Sequence, residues 1–170
     1  NGTKGTLTET ITVLPTEWTV DYLEFDPELE ELLDPVVTEQ ELQMLQGIYR
    51  LVTPLKLWDG MLQLPVQGGL TARFGEQRSY SGEPPSGHHT GTDLSALEGT
   101  PVIAANNGKV VLARQLQVRG NMVIIDHGGG LYSGYAHLST IDVAEGQEVV
   151  AGEEIATVGS TGLSTGAHLH

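Results

Sequence analysis

From residue 60 onward the chain is cut into short apolar runs by glycine turns, and this punctuation limits the fold more than any other feature. TPVIAA, GKVVLARQ, NMVIIDHG, LYSGYAHL, QEVV and EIATVG recur every 8 to 15 residues, with NNG, RGN and GGG between them. Runs this short, rich in Val and Ile and bounded by turn residues, read as strands joined by tight turns. The 22 glycines in 170 residues fit turns and β-structure better than long helices. The expected class is therefore mainly β, with an antiparallel sheet core. EGTPVIA at 98–104 and EGQEVVA at 145–151 share the pattern EGxxV[I/V]A. This echo predicts a hammerhead-like pseudo-repeat within the core.

The first 60 residues have a different texture. They hold 12 acidic against 3 basic residues, net −9, while residues 61–170 carry net −5. A boundary near 60 follows. GTLTETITVL alternates Leu7, Ile11 and Val13 with Thr8, Thr10 and Thr12. It reads as a half-buried strand ending an upstream β-module over 1–15. DPELEELLDP, bracketed by two Asp-Pro pairs, suits a short helix. VVTEQELQMLQGIYRLVTP predicts a longer one, with Thr38 and Glu41 as a capping box and Val37 and Leu42 as its staple. Leu42, Leu45, Tyr49 and Val52 would form its apolar stripe, and Pro54 ends it. Residues 16–60 are thus expected to be an acidic helical linker or appendage that packs on a domain spanning 61–170.

Composition excludes several classes. The net charge of −14, without any basic cluster, argues against nucleic-acid and anionic-membrane partners. There are no cysteines, hence no disulfide and no thiolate metal site. No apolar run approaches the roughly 20 residues of a membrane helix, so no direct membrane insertion is expected of this stretch. The first residue is Asn1, not Met, which leaves room for an upstream targeting segment.

The chemistry lies in the histidines: His88, His89, His127, His137, His168 and His170. In an extended chain, residues i and i+2 share a face. His168 and His170 of HLH therefore point the same way, with Leu169 turned to the core. His89 and Asp93 of HHTGTD, four apart, also share a face when extended. Two imidazoles and a carboxylate suit zinc with an open fourth position for water. His88 could compete with His89, but only His89 keeps the four-residue spacing to Asp93. His127, in IDHGGG, reads as structural. Tyr135 should share the face of His137, as a groove hydroxyl or as core packing. Arg73 and Arg78 flank FGEQ and are expected to bridge to the acidic segments. STGLSTGA before HLH is a small-residue loop, either a plain turn or a backbone that approaches a substrate peptide.

HTGTD, YAHL and GSTGLSTGAHLH, in this order, resemble the lysostaphin/LytM-type zinc endopeptidases of bacterial cell walls. TARFGEQR, GTPVIAANNGKVVLA and GNMVIIDHGGGLYSGYAHLS extend the resemblance over about residues 61–170. It implies one Zn2+ per chain, held by His89, Asp93 and His170, with His137 and His168 as catalytic histidines. It also implies a peptidoglycan peptide substrate and an extracytoplasmic location in the envelope, the periplasm or the medium. Imidazole must then do the acid–base work, because no HExxH glutamate is present. In this family another core strand follows HxH, so the peptidase domain is expected to lack its C-terminal strand here, and a ligand at a free end would fray. Two other readings compete. One is a non-catalytic LytM-like regulator of wall hydrolases. The other is a lipoyl- or biotinyl-type carrier, which needs a modifiable lysine at a hairpin tip, with Lys109 after the NNG turn as the only candidate; it leaves the histidines unexplained.

Overall fold

The computed structural model describes residues 8–14, 16–26, 29 and 31–170. Six strands form the main sheet: β6 (Pro101–Ile103), β7 (Gly108–Gln115), β8 (Asn121–Gly128), β9 (Leu131–Ile141), β10 (Glu148–Val149) and β11 (Glu154–Val158). Their order is β10-β7-β8-β9-β11-β6, antiparallel throughout. The two EGxxV[I/V]A segments lead into β6 and β10, so the sequence echo marks the two opposite edges of this sheet.

Two small sheets complete the architecture. One contains β2 (Gly69–Ala72), β5 (Asp93–Ser95) and β12 (His168–Leu169), in the order β12-β5-β2. The other contains β1 (Val20–Leu23), β3 (Gln77–Tyr80) and β4 (Gly87–His88), with β1 parallel to β3.

The strand period of two sorts the central strand β8 into two cores. Val123 and Ile125 join Val102, Val110, Tyr135, Leu138, Ile155 and Val158 on one face. Met122 and Ile124 join Leu112, Ala136 and Leu45 on the other. Leu45 belongs to α1 (Pro35–Tyr49), which covers that second face.

The helix forms where expected, with different details. Asp34, not Thr38, is the N-cap: its carboxylate accepts from Val36 N–H at 2.7 Å, and Pro35 opens the first turn. Thr38 lies inside the helix and bonds back to the carbonyls of Asp34 and Pro35. The predicted capping box is therefore absent, which frees Glu41 to turn inward. The buried stripe is Glu41 and Leu45, flanked by Met44 and Ile48. Leu42 is 40% exposed and Leu45 only 3%, while Val52, past the helix end, is also exposed. Glu41 accepts from the backbone N–H groups of Val118 and Arg119 at 2.9 and 3.1 Å, and from Arg119 Nη1 at 2.8 Å. A carboxylate thus takes a position that a strictly apolar stripe would give to leucine.

Nearer the N-terminus, the strand expected in GTLTETITVL (5–14) is not found at Thr8–Leu14, which are exposed and pair with no strand; residues 5–7 lie outside the described residues. The N-terminal strand is instead β1, further along the chain. Of the predicted short helix, the described part is Leu29, which is helical, and a 3-10 turn, Glu31–Leu33.

Candidate metal and catalytic centre

The site forms where the small sheets meet the main one. β12 pairs with β5 through His168↔Ser95 and Leu169↔Leu94, and β5 pairs with β2 through Asp93↔Ala72. On its other side, the His170 carbonyl accepts from Ala136 N–H at 2.8 Å, and His168 N–H donates to Gly159 at 3.1 Å. Leu169 is buried, as the HLH alternation requires. His168–His170 is thus held between two sheets.

His137 arrives by a different device. Asn121 pairs with Leu138 but Val123 pairs with Tyr135, so β9 carries one extra residue there. Within this bulge His137 has φ of 58°, the left-handed region that a side-chain-bearing residue rarely enters. The bulge breaks the alternation that would have given Tyr135 and His137 one face. Tyr135 turns into the core, 1% exposed, where its hydroxyl accepts from Ala105 N–H. His137 turns into the groove.

Three donor atoms converge. His89 Nε2 lies 2.9 Å from His170 Nδ1 and 3.0 Å from Asp93 Oδ1, and His170 Nδ1 lies 2.8 Å from Asp93 Oδ1. The outer atoms are fixed: His89 Nδ1 donates to the Arg73 carbonyl at 3.0 Å, and Asp93 Oδ2 accepts from Arg78 Nη2 at 3.1 Å. His89 therefore keeps its proton on Nδ1 and presents a lone pair at Nε2. Gly91 permits the close approach, because a Cβ there would sit 2.8 Å from His170 Nε2.

Burial raises the Asp93 pKa, but its close contacts with the His170 and His89 rings outweigh it and hold the carboxyl well below its usual range. Burial pushes the His170 pKa down, against the pull of Asp93. The donor set is then one carboxylate and two imidazole nitrogens, with the His89 proton held outward on Nδ1. A cation satisfies all three at once. The edges of 2.8–3.0 Å are slightly shorter than the roughly 3.3 Å expected around a tetrahedral ion with bonds of about 2.0–2.1 Å. These residues fit a zinc-like ion.

The second pair faces this triangle. The His137 and His168 rings are 4.8 Å apart, and His137 is 5.9 Å from the His170 ring. His137 Nδ1 donates to the Thr161 carbonyl at 2.7 Å, and His168 Nδ1 to that of Gly166 at 2.8 Å. Each keeps its lone pair on Nε2. Burial, aided by the neighbouring His168 and His170, pushes the His137 pKa down to about 4, against the Thr161 carbonyl. All five side chains border one groove of about 510 Å³. Its walls include residues 163–167 of the small-residue loop, Arg119, and Asp21, Leu23 and Phe25 from the N-terminal segment.

The remaining sequence candidates separate from this group. His88 is exposed at the groove rim, outside the triangle. His127 is fully buried, bonded at Nδ1 to the Asn107 carbonyl and at Nε2 to Ser133, each at 2.7 Å. Lys109 lies within β7, between β10 and β8, and not on a hairpin tip as a carrier lysine would. Sequence reasoning missed the groove wall given by β1; the alternating WTVDYLEF was its signal.

Residues 87–170 match peptidase family M23. The catalytic domain of lysostaphin from Staphylococcus simulans superposes with a TM-score of 0.54 at 34% identity, over 61% of this chain and 77% of that one. This chain belongs to peptidase family M23. A zinc-containing peptidase from Vibrio cholerae gives a TM-score of 0.62 at 34% identity, over 66% of this chain and 36% of the other. Among curated M23 relatives, the peptidoglycan DD-endopeptidase ShyA of Vibrio cholerae is 45% identical over 82 residues, 48% of this chain and 19% of ShyA. The murein hydrolase activator NlpD of Escherichia coli is 38% identical over 114 residues, 66% of this chain and 27% of NlpD. The chain therefore spans about a fifth to a quarter of the curated relatives it matches. Membership accounts for the mainly β, LytM/lysostaphin-type fold. Among the described residues no helix is long and apolar enough to cross a membrane.

Proposed function

We propose that this chain is a zinc-dependent endopeptidase that hydrolyses peptide bonds of bacterial peptidoglycan. The observation that carries the reading is the facing of two imidazole groups across one groove: His89, Asp93 and His170 converge on a point, and His137 and His168 stand beside it, each tied at Nδ1 to a backbone carbonyl, with His168 Nε2 3.8 Å from Asp93 Oδ1. His89 Nε2, Asp93 Oδ1 and His170 Nδ1 would hold one zinc. A zinc ion held there would polarise the scissile carbonyl and lower the pKa of a water. Nε2 of His137 or His168 takes the proton of the attacking water and delivers it to the leaving amine. A protonated imidazole of this pair also stabilises the developing oxyanion. The groove wall at residues 163–167 offers small side chains, so a substrate backbone can lie close.

The name of ShyA supports a peptidoglycan peptide as substrate, and that of lysostaphin supports a peptidase. Such a substrate places the chain outside the cytoplasm, in the envelope or the medium. Residues 61–170 are taken as the peptidase domain. Residues 16–60 are an appendage that completes its outer core and one groove wall.

The likeness to NlpD favours a second reading, an activator of other wall hydrolases. Digestion of purified peptidoglycan, with products identified by mass and zinc measured on the same protein, separates the two. Cleaved cross-links or stem peptides support the peptidase. No product from folded, zinc-loaded protein that still stimulates a separate wall hydrolase supports the activator.

A further inference from the structure

The side chain of Arg78 lies beneath the groove, only 12% exposed, between two carboxylates on different parts of the chain. Nη2 donates to Asp93 Oδ2 at 3.1 Å, and Nη1 stands 3.5 Å from Asp21 Oδ2. Nε is buried without a hydrogen-bond partner. A guanidinium is costly to bury unless its charge is matched, so an orphan Nε implies that the two carboxylates fix the fork where it stands. For Asp93 the consequence is specific. Oδ2 is committed to Arg78, which leaves Oδ1 as the single oxygen facing His89 and His170.

Asp21 comes from β1, and β1 is stitched along β3 at several points. Asp21 pairs with Arg78 in register. Gln77 N–H donates to the Thr19 carbonyl and Ser81 N–H to that of Leu23, at 2.9 and 2.8 Å. Phe25 stacks on Tyr80 with ring centroids 6.0 Å apart. Trp18 lies on Gly75, whose φ is 90° and where a Cβ would fall 2.6 Å from the indole. Gly75 N–H in turn donates to the His89 carbonyl at 2.8 Å. The N-terminal strand therefore supports the strand-and-loop segment behind both His89 and Asp93.

We infer that β1 is a working part of the metal site: Arg78 is a positioning residue that holds Asp93 as a one-oxygen ligand, and Asp21 holds Arg78 in place. This deepens the zinc reading above and rests on it. Partners that orient ligands in this way are typically worth about 10–100-fold in metal affinity.

The test is the zinc dissociation constant, measured by competition with a chromophoric chelator, on the whole chain and its Arg78→Gln, Arg78→Lys and Asp21→Asn variants. Metal-free melting temperatures are recorded beside it, and binding is measured well below all of them. Arg78→Gln should weaken zinc about 10–100-fold. Arg78→Lys should recover part of that loss, and Asp21→Asn should give a smaller loss in the same direction. A purely structural role would lower the metal-free melting temperature and leave the dissociation constant of the folded protein unchanged; that result overturns the inference. Wild-type protein that binds no zinc overturns the zinc reading, and this inference with it. Wild type that binds zinc, with variants that bind equally well, overturns the inference alone.

Discussion

The two imidazole groups in the groove are held in opposite ways. His89 and His170 turn one nitrogen each toward Asp93, and their neighbours fix the outer atoms: the Arg73 carbonyl on His89 and the Arg78 guanidinium on Asp93. His137 and His168 are each tied at Nδ1 to a loop carbonyl, so that Nε2 is left to the groove. The first arrangement suits sharing one cation; the second suits passing one proton. His127 is a third case, with both nitrogens bonded inside the sheet and nothing left to offer. What the backbone does with one ring nitrogen decides what the other can do.

The largest effects should come from the converging group. Changing His89, Asp93 or His170 to Ala leaves two protein donors, too few for an open catalytic site. Zinc content and peptidoglycan hydrolysis should fall together, to background. Metal analysis beside a wall-digestion assay reads both. An Asp93→Ala variant that still holds stoichiometric zinc would dissolve the distinction between the two groups.

The facing pair should behave differently. His137→Ala and His168→Ala leave all three donors in place, so zinc should stay. Hydrolysis should drop by about 10²–10⁴-fold, the usual contribution of a positioned general acid–base group. If His168→Ala sheds zinc while His170→Ala retains it, the two ends of HLH have exchanged roles.

Local spacing made much of this legible. HLH and HTGTD place side chains on shared faces wherever the chain is extended, and the structure brings those three donors together. The short strands were readable because turns isolate them. Longer-range decisions were not. Nothing in YSGYAHL announces the extra residue that sends Tyr135 to the core and His137 to the groove, since a bulge depends on the partner strand. The helix register shifted because Asp34-Pro35 outcompeted Thr38 as the start, and that turned Glu41 from a cap into a buried acceptor. β1 was easy to overlook because the alternation in WTVDYLEF is short, and its groove side mixes Asp21 with Leu23 and, just past the strand, Phe25. Its pairing energy comes from β3, far along the chain.

Glu41 offers a smaller but selective perturbation. It holds the loop of Val118 and Arg119, and the Arg119 carbonyl accepts from His137 N–H at 2.9 Å. Glu41→Ala leaves two backbone donors and a guanidinium without their acceptor, a loss of about 1–3 kcal/mol of stability. Chemical denaturation checks that value. Because the loop bonds to the His137 backbone and reaches His170 only through the Arg119 charge, activity should fall severalfold with a smaller change in zinc affinity. Lost zinc with retained turnover would show that the two groups share their supports.

The smallest effect is expected at His88, and it is the strictest control on the comparison. His88 directly precedes His89, so it is the neighbour in sequence that could compete for the place of His89. Along β4 and the residue after it, successive side chains alternate, and only His89 turns inward to Asp93. His88 is exposed at the rim. Surface substitutions of this kind change stability by no more than about 0.5 kcal/mol. His88→Ala should therefore keep full zinc content and most of its hydrolytic rate, with any change confined to KM, where a rim residue meets substrate. The double variant His88→Ala/His89→Ala should bind no less zinc than His89→Ala alone. A further drop in the double variant would mean that His88 swings in when His89 is gone, and the converging group would then be a choice between neighbours instead of a fixed set of three.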